Sequence, residues 1–257
     1  MKSQRKGSGP VKMLWTGGWD STFQLLELLF VQKSEVIPYY LIEEDRRSTR
    51  QEMLAMKKIK AMARACEPQT EKLLAPTRFY ALADIPPNPK VTEAFDRLKE
   101  ARFMGRQYDW LARFCEWQDL SGLQLCIHKD DKAHAVLEGM LAAKPGGGGE
   151  FIVDEKLRGT DEHTVFGRFS FPILNLAKLD MNRIALERGW QEIMLQTWFC
   201  HRPVKGKPCG RCNPCRYTIE EGMGFRIPRA RVLAGMFRND FWKPFKTRFK
   251  RKTSPAL

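Results

Sequence analysis

Two stretches of this chain combine residue types that can do chemistry at the spacing that chemistry needs. The first is Thr16-Gly17-Gly18-Trp19-Asp20-Ser21-Thr22, directly after the apolar run Val11-Lys12-Met13-Leu14-Trp15. Paired glycines let backbone approach an anion with no Cβ in the way. A helix opening at Asp20 or Ser21 and running through Gln24-Leu25-Leu26-Glu27-Leu28-Leu29 aims its free N–H groups and the positive end of its dipole at the same place. Thr16, Ser21 and Thr22 add hydroxyl donors, and Asp20 adds a carboxylate. Strand, glycine turn and helix in this order can cradle phosphate, although the same residues also suit an ordinary turn. The G-x-x-x-x-G-K-[ST] spacing of a loop built for γ-phosphate chemistry is absent.

The second stretch is Cys200-x8-Cys209-x2-Cys212-x2-Cys215, with Gly210 in the turn. Four thiolates so close in sequence suit a closed tetrahedral Zn²⁺ site, and filling all four positions with sulfur points to a structural metal. An iron–sulfur cluster is the other occupant such a set can hold. The remaining cysteines, Cys66, Cys115 and Cys126, read as buried apolar positions.

Single charges add weaker signals. Arg106 and Lys178 each stand at the start of a helix, where a cation opposes the dipole unless an anion lies nearby. Each can equally be a solvated charge. Asp130-Asp131 follows the apolar run Leu123-Gln124-Leu125-Cys126-Ile127-His128 and can bind Mg²⁺ or cap a helix starting near Ala133. His128 and His134 are isolated and read as core or surface.

The elements that must position these residues follow from periodicity. Strands are expected at 11–15, 35–42 and 123–128. Helices are expected from about residue 20, over Met53–Ala63 behind a cap at Ser48 or Thr49, from Ala94 to Arg102, and up to the stop at Gly189. Trp110, Leu111 and Phe114 recur at helical spacing and belong to the core. Residues 76–92, with four prolines, read as an irregular connection, and Lys144-Pro145-Gly146-Gly147-Gly148-Gly149-Glu150 reads as a flexible loop and hinge. The alternation βαβα predicts an α/β protein with a doubly wound parallel sheet, whose site lies at the carboxyl ends of the strands.

Totals bound the rest. The 257 residues fit one large α/β domain, or one domain plus a small appendage, and 43% apolar residues suffice for a core. No apolar run is long enough to span a bilayer, and the basic start lacks the apolar stretch of a signal peptide, so no membrane partner and a cytoplasmic location are expected. Seven cysteines in such a compartment argue against a disulfide framework. The net charge of +14 is concentrated at the ends: residues 1–12 carry four cations, and residues 238–257 carry seven against Asp240.

The order Thr16-Gly17-Gly18-Trp19-Asp20-Ser21-Thr22 resembles the S-G-G-x-D-S-T loop of the PP-loop ATP pyrophosphatases, which cleave ATP between its α- and β-phosphates. Pro172-Ile173-Leu174-Asn175-Leu176-Ala177-Lys178 resembles the P-L-x-x-L-x-K block of one branch, the 7-cyano-7-deazaguanine synthases of queuosine biosynthesis. Thr197-Trp198-Phe199-Cys200 with Cys209-Gly210-Arg211-Cys212-Asn213-Pro214-Cys215-Arg216 is similar to that family's zinc loop, and Gly105-Arg106-Gln107 is more weakly similar to its A-R-N motif. The resemblance implies a PP-loop domain at 11–195, a four-cysteine zinc subdomain at 196–237, a disordered basic N-terminus at 1–10 and a basic tail at 238–257. It implies ATP, Mg²⁺ and Zn²⁺ as cofactors. Thr16, Gly17, Gly18, Ser21 and Thr22 would hold pyrophosphate, and Asp20 would hold Mg²⁺ or fix the loop. Lys178 and Arg106 would neutralise growing phosphate charge, and Cys200, Cys209, Cys212 and Cys215 would hold zinc. The family's reaction is an AMP-forming ligation: a 7-carboxy-7-deazaguanine carboxylate is adenylated, ammonia displaces AMP, and a second activation dehydrates the amide to a nitrile.

This chain departs from that family where the deazapurine is read. Only Lys129-Asp130-Asp131-Lys132-Ala133-His134 stands in place of N-A-D-D-x-x-x-Y-P-D-C-R, and Ser48-Thr49-Arg50 stands where the family has Gln-Arg-His. The partners that follow are a small-molecule deazapurine with ammonia or another amine. Alternatives are a diverged, defence-associated homologue attaching a deazapurine to a protein or nucleic acid, a PP-loop enzyme modifying tRNA, and a non-enzymatic zinc-containing module; a homodimer fits any of them. The tail Phe241-Trp242-Lys243-Pro244-Phe245-Lys246 favours the tRNA reading, because it interleaves aromatics with cations.

Overall fold

A computed structural model describes residues 9–101 and 104–235. The expected disordered N-terminus, up to residue 8, and the basic tail at 238–257 lie outside the described residues. The chain forms two compact units, one ending at Trp198 and the other beginning at Phe199.

In the first unit the order is β1 (Val11–Leu14), α1 (Trp19–Leu26), β2 (Val36–Ile42), α2 (Thr49–Cys66), α3 (Thr70–Leu73), β3 (Arg78–Ala81), α4 (Pro89–Ala101) and α5 (Gln107–Trp117). Then come β4 (Leu123–Gln124), α6 (Lys132–Leu137), β5 (Leu141–Ala143), β6 (Phe151–Val153), α7 (Asp161–Phe166), β7 (Phe169–Phe171), α8 (Lys178–Glu187) and α9 (Gln191–Met194). One seven-stranded sheet runs β3-β2-β1-β4-β7-β6-β5. The first five of these strands are parallel. The sheet is therefore not wholly parallel as expected: β6 runs against β7 and β5 against β6, because a Gly-rich turn joins β5 and β6 as a hairpin. Short turns can connect only antiparallel neighbours.

Patterning explains the layers. Helix α1 is buried nearly all round, with Trp19, Phe23, Leu25 and Leu26 in the core. Helix α2 buries one face, Glu52, Ala55, Met56, Ile59 and Ala63, the stripe that helical periodicity produces. Pro38 sits inside β2, where its missing N–H is tolerated because β3 begins pairing one residue later, at Tyr39. Leu111 and Phe114 are buried as expected, and Gly189 closes the end of α8 at φ +71°.

Several expectations change. Residues 76–92 are not simply irregular: Arg78–Ala81 is the edge strand β3, too short and too closely bracketed by prolines for its alternation to stand out. The expected hinge at 144–150 is a closed turn. Lys144 donates its N–H to the Glu150 carbonyl at 2.9 Å, and the Lys144 Nζ pairs with the Glu150 carboxylate at 2.6 Å. Cys66 is exposed at the end of α2, whereas Cys115 is buried.

The second unit holds the Cys200–Cys215 loop, a small ribbon pairing Val204 with Lys207, α10 (Asn213–Glu220) and a turn at Gly224–Arg226. No helix among the described residues is long and apolar enough to cross a membrane.

Candidate active site and metal centre

Strand β1 lies between β2 and β4, so the chain leaves it in one direction to β2 and returns on the other side as β4. This reversal opens a crevice at the carboxyl ends of β1 and β4, the usual ligand position in such sheets. Loop 15–18 and the start of α1 form its rim. Gly17 has φ +69°, and a Cβ there would meet Met56 Cγ at 3.0 Å and the Glu52 carbonyl oxygen at 3.2 Å. Only glycine suits both the dihedral and the close approach of α2. The Trp198 N–H donates to the Gly17 carbonyl at 2.8 Å, and the Thr22 N–H donates to the Gly18 carbonyl at 3.1 Å. That second bond is the first of the helix, leaving the N–H groups of residues 19–21 without intrahelical acceptors.

The side chains divide by direction. Thr22 is fully buried, and its hydroxyl oxygen accepts the Trp15 indole N–H at 3.0 Å, bracing the loop from inside. Ser21 is 8% exposed, and its Oγ has no hydrogen-bond partner among the described residues; Asp20 Oδ1 is likewise buried and unpartnered among them. Asp20 Oδ2 lies 3.9 Å from Lys178 Nζ. Lys178 is the first residue of α8, whose N-terminus is capped by Asp180 accepting the Ala177 N–H at 3.0 Å. Strand β7 delivers α8 to the carboxyl edge of the sheet, which explains why a block so distant in sequence reaches the loop.

Arg106 precedes α5, which leads into parallel β4, so it stands at the same edge of the sheet. It is exposed, and its guanidinium meets no carboxylate among the described residues. Asp131 is spent as a cap, accepting the Ala133 N–H at 2.9 Å, and the Asp130 N–H donates to His128 Nδ1 at 3.2 Å.

Sequence spacing gave no sign of three networks. Gln24 Nε2 donates to Gln124 Oε1 at 3.0 Å, and Gln124 Nε2 donates to Glu150 Oε1 at 2.8 Å, tying α1 to β4 and the β5–β6 turn. Behind Gly17, the buried Glu52 carboxylate accepts from Tyr40 Oη at 2.8 Å, Ser48 Oγ at 2.7 Å and Arg46 Nε at 3.0 Å. Burial and then the Glu52 charge push the Tyr40 phenol up. Cys126 follows β4 deep in the crevice, although part of its surface stays solvent-exposed. Burial first, then the Asp20 and Glu150 carboxylates, push its thiol well above the ordinary value. Gln24, Gln124 and Glu150 lie far apart in the chain, whereas the Glu52 partners come from the end of β2 and the turn into α2, where nothing in the spacing marks them as one network.

In the second unit the four cysteine sulfurs lie within 4.8 Å of one another. Cys212 and Cys215 are 3.5 Å apart, and the Cys209–Cys215 and Cys212–Cys200 pairs are each 3.9 Å apart. Backbone N–H groups of Cys209 and Cys212 donate to the sulfurs of Cys200 and Cys209, at 3.2 and 3.4 Å. The crowding drives the thiols apart in acidity. Cys212 is pulled down by its bonds to Cys200 and Cys215, while Cys200 is pushed up to about 12 by its bond to Cys212. A central cation removes that conflict, and the donor set can coordinate a metal ion. Gly210 has φ +75°, and a Cβ there would meet the Arg231 carbonyl oxygen at 2.5 Å. Arg231 in turn donates to the carbonyls of Val204, Lys207 and Pro208 at 2.8–3.2 Å, holding the ribbon beside the cysteines.

These features define an α/β fold with a mostly parallel central sheet, a glycine turn at the head of α1 and a loop of four cysteines placed to bind a metal ion. No family model matches the chain. No curated protein matches it either. Among solved structures it is similar to the U34-tRNA thiolase NcsA from Methanococcus maripaludis with its [4Fe-4S] cluster, at 15% identity and a TM-score of 0.43, over 92% of this chain and 73% of that one.

Proposed function

We propose that the chain activates a substrate oxygen by adenylation, with ATP cleaved between its α- and β-phosphates and pyrophosphate departing into the loop at 16–22. The observation that carries this reading is the pair of buried, unpartnered oxygens, Ser21 Oγ and Asp20 Oδ1, beside Lys178 at the open end of α1. Such groups are costly unless a ligand completes them. Gly17 and Gly18 bring backbone close to the phosphates, and the N–H groups of residues 19–21 and the Ser21 hydroxyl donate to them. Lys178 neutralises the charge that grows on the leaving pyrophosphate. Arg106, free to swing at the same edge, assists in that role. Asp20 would hold Mg²⁺, which would screen the phosphates. Adenylation turns a poor leaving group into AMP, which a nitrogen nucleophile displaces.

The four cysteines would hold Zn²⁺. With Zn–S bonds near 2.3 Å, a tetrahedral site has sulfur–sulfur edges of about 3.8 Å, which matches the 3.5–3.9 Å pairs. A four-iron cluster spreads its cysteines further apart.

The finer reading is the carboxylate of 7-carboxy-7-deazaguanine with ammonia, on the strength of the sequence blocks around Lys178 and the cysteines. One observation favours a second reading, in which the acceptor is a nucleic acid: Asp131, in the segment where the resembling family reads its deazapurine, is committed to a helix cap. The test is mass spectrometry of products from ATP, 7-carboxy-7-deazaguanine and ammonium. Amide or nitrile formed with AMP supports the finer reading. AMP formed only when RNA is added supports the second. ADP as the sole nucleotide product contradicts both.

A further inference from the structure

We propose that the four-cysteine unit carries a docking surface for single-stranded nucleic acid, formed by the ribbon at 204–207 and the segments packed beside it. It rests on the macromolecular reading above for its purpose, but the binding itself needs no turnover.

Charge is divided unevenly between the two units. Residues 13–198 hold 25 lysines and arginines against 27 aspartates and glutamates, whereas residues 199–235 hold eight against two. Part of the basic character thus belongs to the folded four-cysteine unit, beyond the chain ends. The unit's fold then gathers its cations. Val204 pairs with Lys207 across a tight turn at Lys205 and Gly206, with φ +48° and +69°. This lifts Lys205 and Lys207 on an exposed tip. Arg231 bonds three carbonyls of that ribbon, and its own carbonyl backs onto Gly210, which brings Arg211 and Arg229 alongside. Lys205, Lys207, Arg211 and Arg229 are exposed, and none has an ion-pair partner among the described residues. The two glutamates lie at the far end of α10, where Glu220 reaches Arg216 at 3.8 Å.

The same unit exposes an aromatic ring. Phe225 is 60% exposed on the turn leading to Arg229, while its neighbour Arg226 lies over the Phe199 ring at 4.7 Å. Exposed cations for a phosphate backbone and a bare ring on which a base can stack are the two components of single-strand recognition, and this unit presents both. An anionic bilayer calls instead for an amphipathic helix with a broad apolar face. Helix α10 does not supply one, since the residues it exposes are Asn213 and Glu220.

The experiment is fluorescence anisotropy of labelled oligouridylate against the full, zinc-loaded chain across a salt series, with oligothymidylate and anionic vesicles as further probes. The wild-type chain should bind both oligonucleotides. The variant Lys205→Gln/Lys207→Gln/Arg211→Gln, with zinc content and Tm unchanged, should lower the log–log salt slope by about two and weaken binding about tenfold or more. Phe225→Ala should weaken binding about fivefold or more with the slope unchanged. Deleting residues 238–257 should leave the gap between wild type and triple variant in place. The proposal is overturned if the triple variant binds like wild type, if tail deletion alone removes all binding, or if only the vesicles bind. ATP cleavage measured on the same variants at saturating RNA separates this outcome from failure of the adenylation reading: a surface defect raises the RNA concentration needed and leaves the rate at saturation intact.

Discussion

Asp20 Oδ2 stands 3.9 Å from Lys178 Nζ, joining the first helix after the glycine turn to the first residue of a helix near the end of the unit. The two side chains are only 26% and 17% exposed, so their charges are partly shielded from water. On the proposed reading Lys178 faces the phosphates across this 3.9 Å separation, which is too long for a tight hydrogen bond. Lys178→Met should therefore lower kcat/KM for ATP cleavage about 10²–10³-fold, while stability changes by about 1 kcal/mol or less. Steady-state kinetics and thermal unfolding of the same preparation check both halves.

Gly17 and Gly18 should behave differently when each is changed to alanine. At Gly17 the φ of +69° and the 3.0 Å approach to Met56 make Gly17→Ala destabilising by about 1–2 kcal/mol or more. At Gly18 the nearest group is Thr16 Oγ1 at 3.3 Å and the backbone is extended, so Gly18→Ala should fold nearly normally. Its added methyl narrows the anion cradle and should raise the KM for ATP. Denaturant midpoints separate the two variants, and KM values confirm the second effect.

Glu52 is a buried carboxylate with three side-chain donors, and its carbonyl lies against Gly17. Tyr40→Phe removes one donor and should cost about 1 kcal/mol. Glu52→Ala strands Arg46, Ser48 and Tyr40 together and should cost about 2–4 kcal/mol, because one partner of the pair is nearly buried. Urea unfolding of the two variants should show this ranking.

The thiols of Cys115 and Cys126 give the protein an alkaline weakness. Burial pushes Cys115 up to about 12, and burial with Asp20 and Glu150 pushes Cys126 up. A thiol raised in the folded state keeps a proton that the unfolded chain releases, so its stabilising effect is full below the unfolded value near 8.5 and declines as pH rises past it. Tm should fall steadily above about pH 8.5. Asp20→Asn removes one of the charges acting on Cys126 and should speed its alkylation at fixed pH, whereas Lys178→Met should not. Peptide mapping after timed iodoacetamide treatment reads this directly.

Purified chain should contain one zinc per molecule, without the visible absorption of an iron–sulfur cluster. Cys215→Ala should lose the metal and lower Tm, since the Cys209–Cys215 contact closes the set. Metal analysis and optical spectra check this prediction.

The sequence revealed what local spacing can reveal. The glycine turn, the four cysteines, the helical stripe of α2 and the stop at Gly189 are contiguous patterns, and each stands where it was expected. Strand β3 was hidden because four residues between prolines carry too little periodicity. The reversal of β5 and β6 was hidden because a run of glycines reads as flexibility until Lys144 and Glu150 are seen to close it. The Gln24–Gln124–Glu150 chain joins residues about a hundred positions apart, and pairing at that range leaves no mark in a single sequence. Nothing in the spacing singles out Arg231, whose guanidinium bonds the carbonyls of Val204, Lys207 and Pro208 and organises the cysteine ribbon.

The most direct test of the central claim is the identity of the bond broken in ATP. Nucleotide products from α- and γ-labelled ATP should be resolved for wild type and Asp20→Asn, with RNA and 7-carboxy-7-deazaguanine each supplied in turn. The account predicts AMP and pyrophosphate in equal amounts from the wild type, in the presence of one of these acceptors, and a loss of about 10²-fold or more in the variant. ADP and inorganic phosphate, or AMP formed equally by both proteins, would contradict it.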